Sequence, residues 1–392
     1  MSASLNAHST VLRHVRQGCP REDLRRLRVF AWSVTALRLT SHVSLTGWAL
    51  VIAGDTKAAS RWRRLWRFLN NPHVDPAAYY RPFIVQTLKS WSGRDVLVAI
   101  DTTSPKGRCV VCRVALVFRG RSIPLVWRSF ATQGHTLAFE DYRPLLDDAA
   151  TLLSGTKSVM LLGDRGFGGV ELMRWCRDTG WDFGLRLKRS RKVQLPNGRT
   201  RKLSDYDVAP GDVFGLHDVR LSGFGEKRFG PVHVFVVLAP EPDAEVWYIA
   251  SNRADGLHVA ACYRCRMNIE HSFRDDKSGG FDWESSHLVA PAQVDRLLLI
   301  LAVATLYTVS EGVFLVESGA RELVDAHSRR GLSYFQIGCR AYQRATALGQ
   351  RFKLRLHLNP APDPDPLTRF GISFKVFNRF EWLMGDTAPA GV

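Results

Sequence analysis

Residues 262–277 read CYRCRMNIEHSFRDDK, and within them Tyr263, Arg266, Glu270 and Lys277 follow one another at intervals of three, four and seven. At about 100° per residue, a helix over this stretch puts all four within roughly 60° of arc, so one carboxylate shares a face with a phenol and two cations. A single Glu on a helix is unremarkable unless other acids can meet it. Two aspartates qualify, each at the polar end of an apolar, strand-like run: Asp101 after VLVAI and Asp164 after VMLLG. Carboxylates brought together repel by about 4 kcal/mol per pair at roughly 4 Å and an effective dielectric near ~20. Such a cluster needs a metal ion.

The 392 residues leave room for more than one domain, and 45% hydrophobic content is that of an ordinary globular protein. Lys+Arg 54 against Asp+Glu 37 gives a formal charge of +17 and a pI near 9.9, which favours polyanionic partners through phosphate neutralisation. Nucleic acid leads, and no membrane partner is expected: the longest apolar run, 297–309, falls short of the ~20 residues that span a bilayer. The opening MSASLNAHSTVLRHVRQG lacks an apolar signal core, so a cytoplasmic location is expected. Seven cysteines, an odd number, argue for reduced thiols. Cys109-x2-Cys112 and Cys262-x2-Cys265 have the spacing of two halves of a zinc site, but neither pair carries the Gly or Pro of a metal knuckle.

Along the chain, residues 1–88 are basic and helical in pattern. The segment 57–69 (KAASRWRRLWRFL) interleaves Arg61, Arg63, Arg64 and Arg67 with tryptophans, as a DNA-contacting helix would; an amphipathic helix with solvated arginines is the plainer alternative. From Asp95 the period becomes that of strands: DVLVAIDTT, CVVCRVALVF and SIPLVWRSF, with a loop at Pro105-Lys106-Gly107. A helix over 139–153, a strand ending at Asp164, a helix over 170–178 and the strand WDFGLRLK follow. Residues 189–255 carry short β patterns and are too long for a bare loop. They predict a β-rich insertion before the helix bearing Glu270. A long apolar helix over 290–317 reads as core or subunit contact, LNPAPDPDP at 358–366 as a stiff linker, and the mixed basic and aromatic tail 369–382 as a docking segment or a closing strand.

The spacing Y-x2-R-x3-E-x6-K resembles the signature of bacterial insertion-sequence transposases of family four, the YREK-type branch of the DDE transposases. IDTT around Asp101 and GDRGF around Asp164 are similar to the two other landmarks of that family. The resemblance implies an α/β fold: an RNase H-like catalytic core, a mixed sheet flanked by helices, over 89–188 and 256–318. A β-rich insertion over 189–255 interrupts it, with an α-helical N-terminal DNA-binding domain over 1–88 and a helical C-terminal region over 319–392. It implies cut-and-paste transposition in the bacterial cytoplasm, with double-stranded DNA (terminal inverted repeats and target) as partner and a homodimer in the synaptic complex.

Cleaving and joining phosphodiesters fits the residues. Two Mg²⁺ ions about 3.5–4 Å apart, with Mn²⁺ able to substitute, neutralise attacking and leaving oxygens, and Asp and Glu oxygens are their natural ligands. Asp101 is expected to bridge the ions, with Asp164 and Glu270 on either side. The glycines of GDRGFGG are expected to leave room beside Asp164 for a nucleic-acid backbone. Tyr263, Arg266 and Lys277, with Arg274 near the same face, can donate to phosphate oxygens. Asp275 and Asp276 lie on other faces. The resemblance further implies an insertion-domain tryptophan stacking on a flipped base during hairpin formation. Trp247 is the candidate, although a strand tryptophan packed in the core is the other reading. The alternatives are a transposase-derived DNA-binding protein without catalysis and a stand-alone RNase H-like nuclease or junction resolvase.

Overall fold

The computed structural model describes residues 3–105, 109–131, 137–222, 225, 228–277, 279–350, 354–366 and 379–382. Its first helices are α1 (Ala3–Gly18), α2 (Leu24–Thr40), α3 (Leu45–Val51), α4 (Ala58–Asn70) and α5 (Pro76–Leu88). Their starts follow capping chemistry. The Asp23 carboxylate accepts from the Arg25 N–H, Ser44 from Gly47, and Asp75 from Ala77 with Pro76 opening the helix. In α4, Leu65, Phe68 and Leu69 turn inward while Arg63, Arg64 and Arg67 stay exposed.

The next elements come in the order expected: β1 (Asp95–Thr103), β2 (Val110–Phe118), β3 (Arg121–Phe130), α6 (Phe139–Leu152), β4 (Ser158–Gly163), α7 (Val170–Thr179) and β5 (Asp182–Arg186). Lys106 and Gly107 of the first loop lie outside the described residues. The meander β1–β2–β3 is antiparallel, whereas β4 and β5 run parallel to β1, giving the order β3-β2-β1-β4-β5.

The following segment is rich in strands: β6 (Lys192–Gln194), β7 (Thr200–Lys202), β8 (Asp212–Leu221), β9 (Phe229–Val237) and β10 (Trp247–Ser251). These strands do not form a sheet of their own. β10 pairs antiparallel with β5, and the order continues through β10-β9-β8-β6-β7, so among the described residues one 11-stranded mixed sheet crosses core and insertion. Its last member, β11 (Arg379–Trp382), pairs parallel with β8. Of the tail, Arg369, Phe370, Phe374, Lys375 and Phe377 lie outside the described residues.

A single helix over 262–277 does not form. Two helices, α8 (Gly256–Arg264) and α9 (Met267–Asp276), meet at Cys265 and Arg266, where the amides of Cys265, Arg266, Asn268 and Ile269 reach back three residues instead of four. Such a tighter turn, at about three residues per turn, rotates α9 relative to α8 and undoes the uniform 100° spacing.

The helix α10 (Pro291–Glu317) is long and apolar enough to cross a membrane by composition, with mean hydropathy 2.0 over its most apolar window, yet 89% of that window is buried within the protein. It is the central core helix, packed against α2, α5, β3 and α11 (Tyr334–Ala347), so most of its length serves as core. Glycines set its closest approach to α11. A Cβ at Gly312 would collide with the Tyr334 carbonyl, and one at Gly338 with the Thr308 carbonyl. The proline-rich stretch 358–366 lies against the body instead of spanning a gap. The Trp91 indole and the Ser90 hydroxyl donate to the Leu358 carbonyl, and Asp363 accepts from Tyr334 and pairs with Arg330 at 2.8 Å.

Candidate active site

Because β1 and β4 pair in parallel up to Ile100 opposite Gly163, the next residues stand side by side: Asp101, still within β1, and Asp164, just past the end of β4. The pairing of Gly163 with Leu185 extends that row by one strand and sets Arg186 beside them. Asp101 is 8% exposed and Asp164 half-buried. Each carboxylate is oriented by its own turn: Asp101 Oδ1 accepts from the Thr102 N–H at 2.8 Å, and Asp164 Oδ1 from the Gly166 N–H at 2.8 Å. The glycines here serve the protein's own packing more than an incoming backbone. A Cβ at Gly168 would lie 2.6 Å from the Arg186 carbonyl, and one at Gly163 would press on Leu185 and Phe167 at 2.9 Å.

Glu270 reaches this row because α9 lies on the sheet. Ile269 and Phe273, one turn apart, pack on Ala99 and Ala115, which are register partners on β1 and β2 and small enough to let the helix approach. Burying such side chains contributes about 1.5–3 kcal/mol each. Polar contacts fix the helix in register. Arg113 of β2 pairs with Asp276 at 2.7 Å with both side chains buried, Arg121 of β3 with Asp275 at 2.5 Å, and the Ser272 hydroxyl accepts from the Ser122 amide at 2.7 Å. Asp275 and Asp276 are thus the anchors of α9.

Arg266 stands at the helix break, 8% exposed, and bridges two of the acids: Nη1 donates to Asp101 Oδ2 at 3.2 Å and Nη2 to Glu270 Oε1 at 2.6 Å. Burial pushes the Asp101 carboxyl up to about 7; Arg266 opposes this, while the charges of Asp164 and Glu270 add to it. Arg266 thus only partly offsets the cost of burying the charge of Asp101. The donor set, hard oxygens around a buried carboxyl short of positive charge, fits a divalent cation such as Mg²⁺ or Mn²⁺. Among the described residues, only His217, Asp218 and His233 bring ligand atoms within 4.8 Å of one another. The three acids stand farther apart than that, too wide for one ion with ligand distances of about 2.1 Å to gather all of them.

The other expected residues divide. Tyr263 is buried beneath Trp247, edge to face with ring centroids 5.2 Å apart; burial raises its phenol to about 12 against the pull of Arg266 and Arg186. Lys277 does not share the helix face. It lies beyond the last turn of α9, where its Nζ donates to the Ser104 carbonyl at 3.2 Å and stands 3.8 Å from Glu284. Arg274 is exposed on α9. Trp247 is half-buried and lines a cleft of about 330 Å³ beside Arg264, Met267 and His271. In α4, Arg61 donates to the carbonyls of Ala49 and Gly54 and so braces α3, while Arg63, Arg64 and Arg67 face solvent. The paired cysteines are buried thiols, and among the described residues they form no metal-ligand group. Arg186, paired with Glu245 at 2.7 Å, is a neighbour of this row that the sequence reading did not single out. The signal was present, since ligands gather beyond the carboxyl ends of parallel strands and Arg186 ends the strand after Asp164.

Residues 98–307, from β1 into α10, match the family described as Transposase DDE domain, and the match contains Asp101, Asp164 and Glu270. The chain belongs to that family. Its DDE domain is thereby that of DNA transposases, a DNA-cleaving class dependent on divalent metal. No curated protein matches the chain. Among solved structures, the piggyBac transposase synaptic complex with hairpin DNA is similar at 10% identity and a TM-score of 0.34, over 92% of this chain and 85% of that one. At that level of likeness the family rests on the domain match.

Proposed function

We propose that the protein is a cut-and-paste transposase of the insertion-sequence family-four, YREK type, acting on the terminal repeats of its own element in the bacterial cytoplasm. The observation that carries this is the bridge that Arg266 makes between Asp101 and Glu270, with Asp164 next to Asp101 on the neighbouring parallel strand. The strand order β3-β2-β1-β4-β5, three antiparallel and two parallel, supports an RNase H-like core, and the +17 charge supports a nucleic-acid partner.

Asp101, Asp164 and Glu270 would hold the metal ions. The ions supply charge neutralisation at the attacking and leaving oxygens and an activated hydroxyl. The chain's own groups do the rest. Arg266, which donates to Asp101 and Glu270, would be available to donate to a phosphate oxygen of the DNA end when those carboxylates hold metal instead. Arg186, Arg274 and Lys277 add positive charge around the row of acids, and the exposed Arg63, Arg64 and Arg67 of α4 track phosphates farther along the duplex. Trp247 has open space on its cleft side and Tyr263 behind it, an arrangement suited to stacking an extruded base during hairpin formation. In the first step water attacks the scissile phosphorus and gives up a proton, the P–O3′ bond breaks, and the departing 3′-oxygen takes up a proton, leaving a 5′-phosphate and a 3′-hydroxyl. The freed 3′-hydroxyl is the nucleophile for the later joining steps. Cutting both ends together requires two copies of the chain.

The test is incubation of the full-length protein with labelled DNA from the flanks of its own gene and Mg²⁺ or Mn²⁺, beside Glu270→Gln. End-specific nicks, hairpins or joined products from the wild type alone are expected. Binding of a cognate end with no cleavage by either protein would sink the catalytic reading.

A further inference from the structure

A second ligand cluster lies three strands from Asp164, on β8 and β9. Leu216 pairs with Val234 and Val219 with Val232, so His217 and Asp218 together stand opposite His233 alone. This is a bulge, and Asp218 takes up the extra residue at φ +48°. In an unbroken strand His217 and Asp218 would point to opposite faces of the sheet. The bulge instead brings both to His233. The Nδ1 atoms of His217 and His233 are 3.0 Å apart with their rings parallel to within 2°, and His217 Nε2 is 3.1 Å from Asp218 Oδ2. One ligand atom from each residue lies within 4.8 Å of the others, while His217 and Asp218 are exposed.

We propose that His217, Asp218 and His233 bind a borderline divalent ion, Zn²⁺ foremost, as a site separate from the carboxylate centre. Ligands of a tetrahedral zinc at bond lengths of about 2.0–2.1 Å lie roughly 3.3–3.5 Å apart. His217 faces His233 through Nδ1 and Asp218 through Nε2, so one of its nitrogens takes the ion and the side chains turn to close ligand atoms that already lie within 4.8 Å of one another. The donor chemistry separates the two sites. Two imidazoles and one carboxylate suit zinc, nickel or copper, whereas the all-oxygen set of Asp101, Asp164 and Glu270 suits Mg²⁺. An ion here has three protein ligands and a fourth position open to solvent. It clips β8 to β9 at the bulge, on the strand that also receives β11.

The test strips the full-length protein with a chelator, adds excess Mg²⁺ to occupy the carboxylate centre, and titrates Zn²⁺ against a chromogenic chelator. About one equivalent should bind at micromolar free Zn²⁺ or below, equally in wild type and Glu270→Gln. Affinity should fall by more than about tenfold in His217→Gln and in His233→Gln. Asp218→Asn, at the exposed bulge, guards against a folding defect, and it too should weaken binding with the melting curve of the metal-free protein unchanged. No uptake by the wild type would overturn the proposal. So would uptake that both histidine variants retain, or uptake lost in Glu270→Gln.

Discussion

Helix α9 carries two kinds of carboxylate within seven residues, and they are partnered differently. Asp275 and Asp276, on the sheet side, each have an arginine of their own, Arg121 and Arg113. Glu270, one to two turns earlier, is 42% exposed at its side chain and must share Arg266 with Asp101, with Asp164 close enough to add its charge. Matched pairs hold a helix in place. Mismatched acids under a single cation leave a site that gains from one more positive charge, which is what a metal-dependent centre needs before its metal arrives. The precision of the second group depends on the first, because the Arg113–Asp276 and Arg121–Asp275 pairs set where Glu270 stands.

The largest effect expected from this contrast is on stability. Asp276→Ala strands the buried Arg113 and should cost about 3–5 kcal/mol in chemical denaturation, whereas replacing both partners together, Arg113→Met with Asp276→Leu, should recover most of it. A double variant as unstable as the single one would break the comparison.

Asp101 should show the reverse sign. Its folded carboxyl, near 7, lies above an unfolded value of about 3.9, so the metal-free protein holds the proton more tightly when folded. Stability from this group is present at low pH and is lost as pH rises from about 4 to about 7. Asp101→Asn should therefore be more stable than wild type at pH 8, by on the order of 2 kcal/mol, with the gap closing near pH 4. Melting curves across that range in the presence of a chelator decide it, and a wild type that is the more stable at pH 8 would refute the charge mismatch.

The smallest effect sharpens the distinction. Glu270→Gln keeps the shape and one acceptor for Arg266 at a half-exposed position, so it should change stability by less than about 1 kcal/mol. It is the same substitution expected to abolish cleavage. A loss comparable with that of Asp276→Ala would mean that Glu270 belongs with the anchors.

Much of this architecture was legible in the residues. The apolar, β-branched runs in DVLVAIDTT and CVVCRVALVF, the apolar run before Asp164 and the helical period after it correspond to β1, β2, β4 and α7, because each is a local pattern of burial. The three acids could be picked out for the same reason, since strand ends and helix positions follow from period alone. The break at Cys265 and Arg266 was not legible. Nothing in CYRCRMNIEH marks a tightened turn, and the break is seen only where Arg266 meets Asp101, 165 residues away in sequence.

By itself, then, the sequence determined the element order and the basic charge and singled out Asp101, Asp164 and Glu270 as candidates, all from short windows or simple sums. Tertiary structure decided the rest: that β10 joins β5 and makes core and insertion one sheet, that Asp275 and Asp276 are anchors while Lys277 turns toward Ser104, and that a bulge gathers His217, Asp218 and His233. These depend on partners distant in the chain, and a charged residue carries no local mark of which distant charge it will meet. Only the packed fold supplies the pairing.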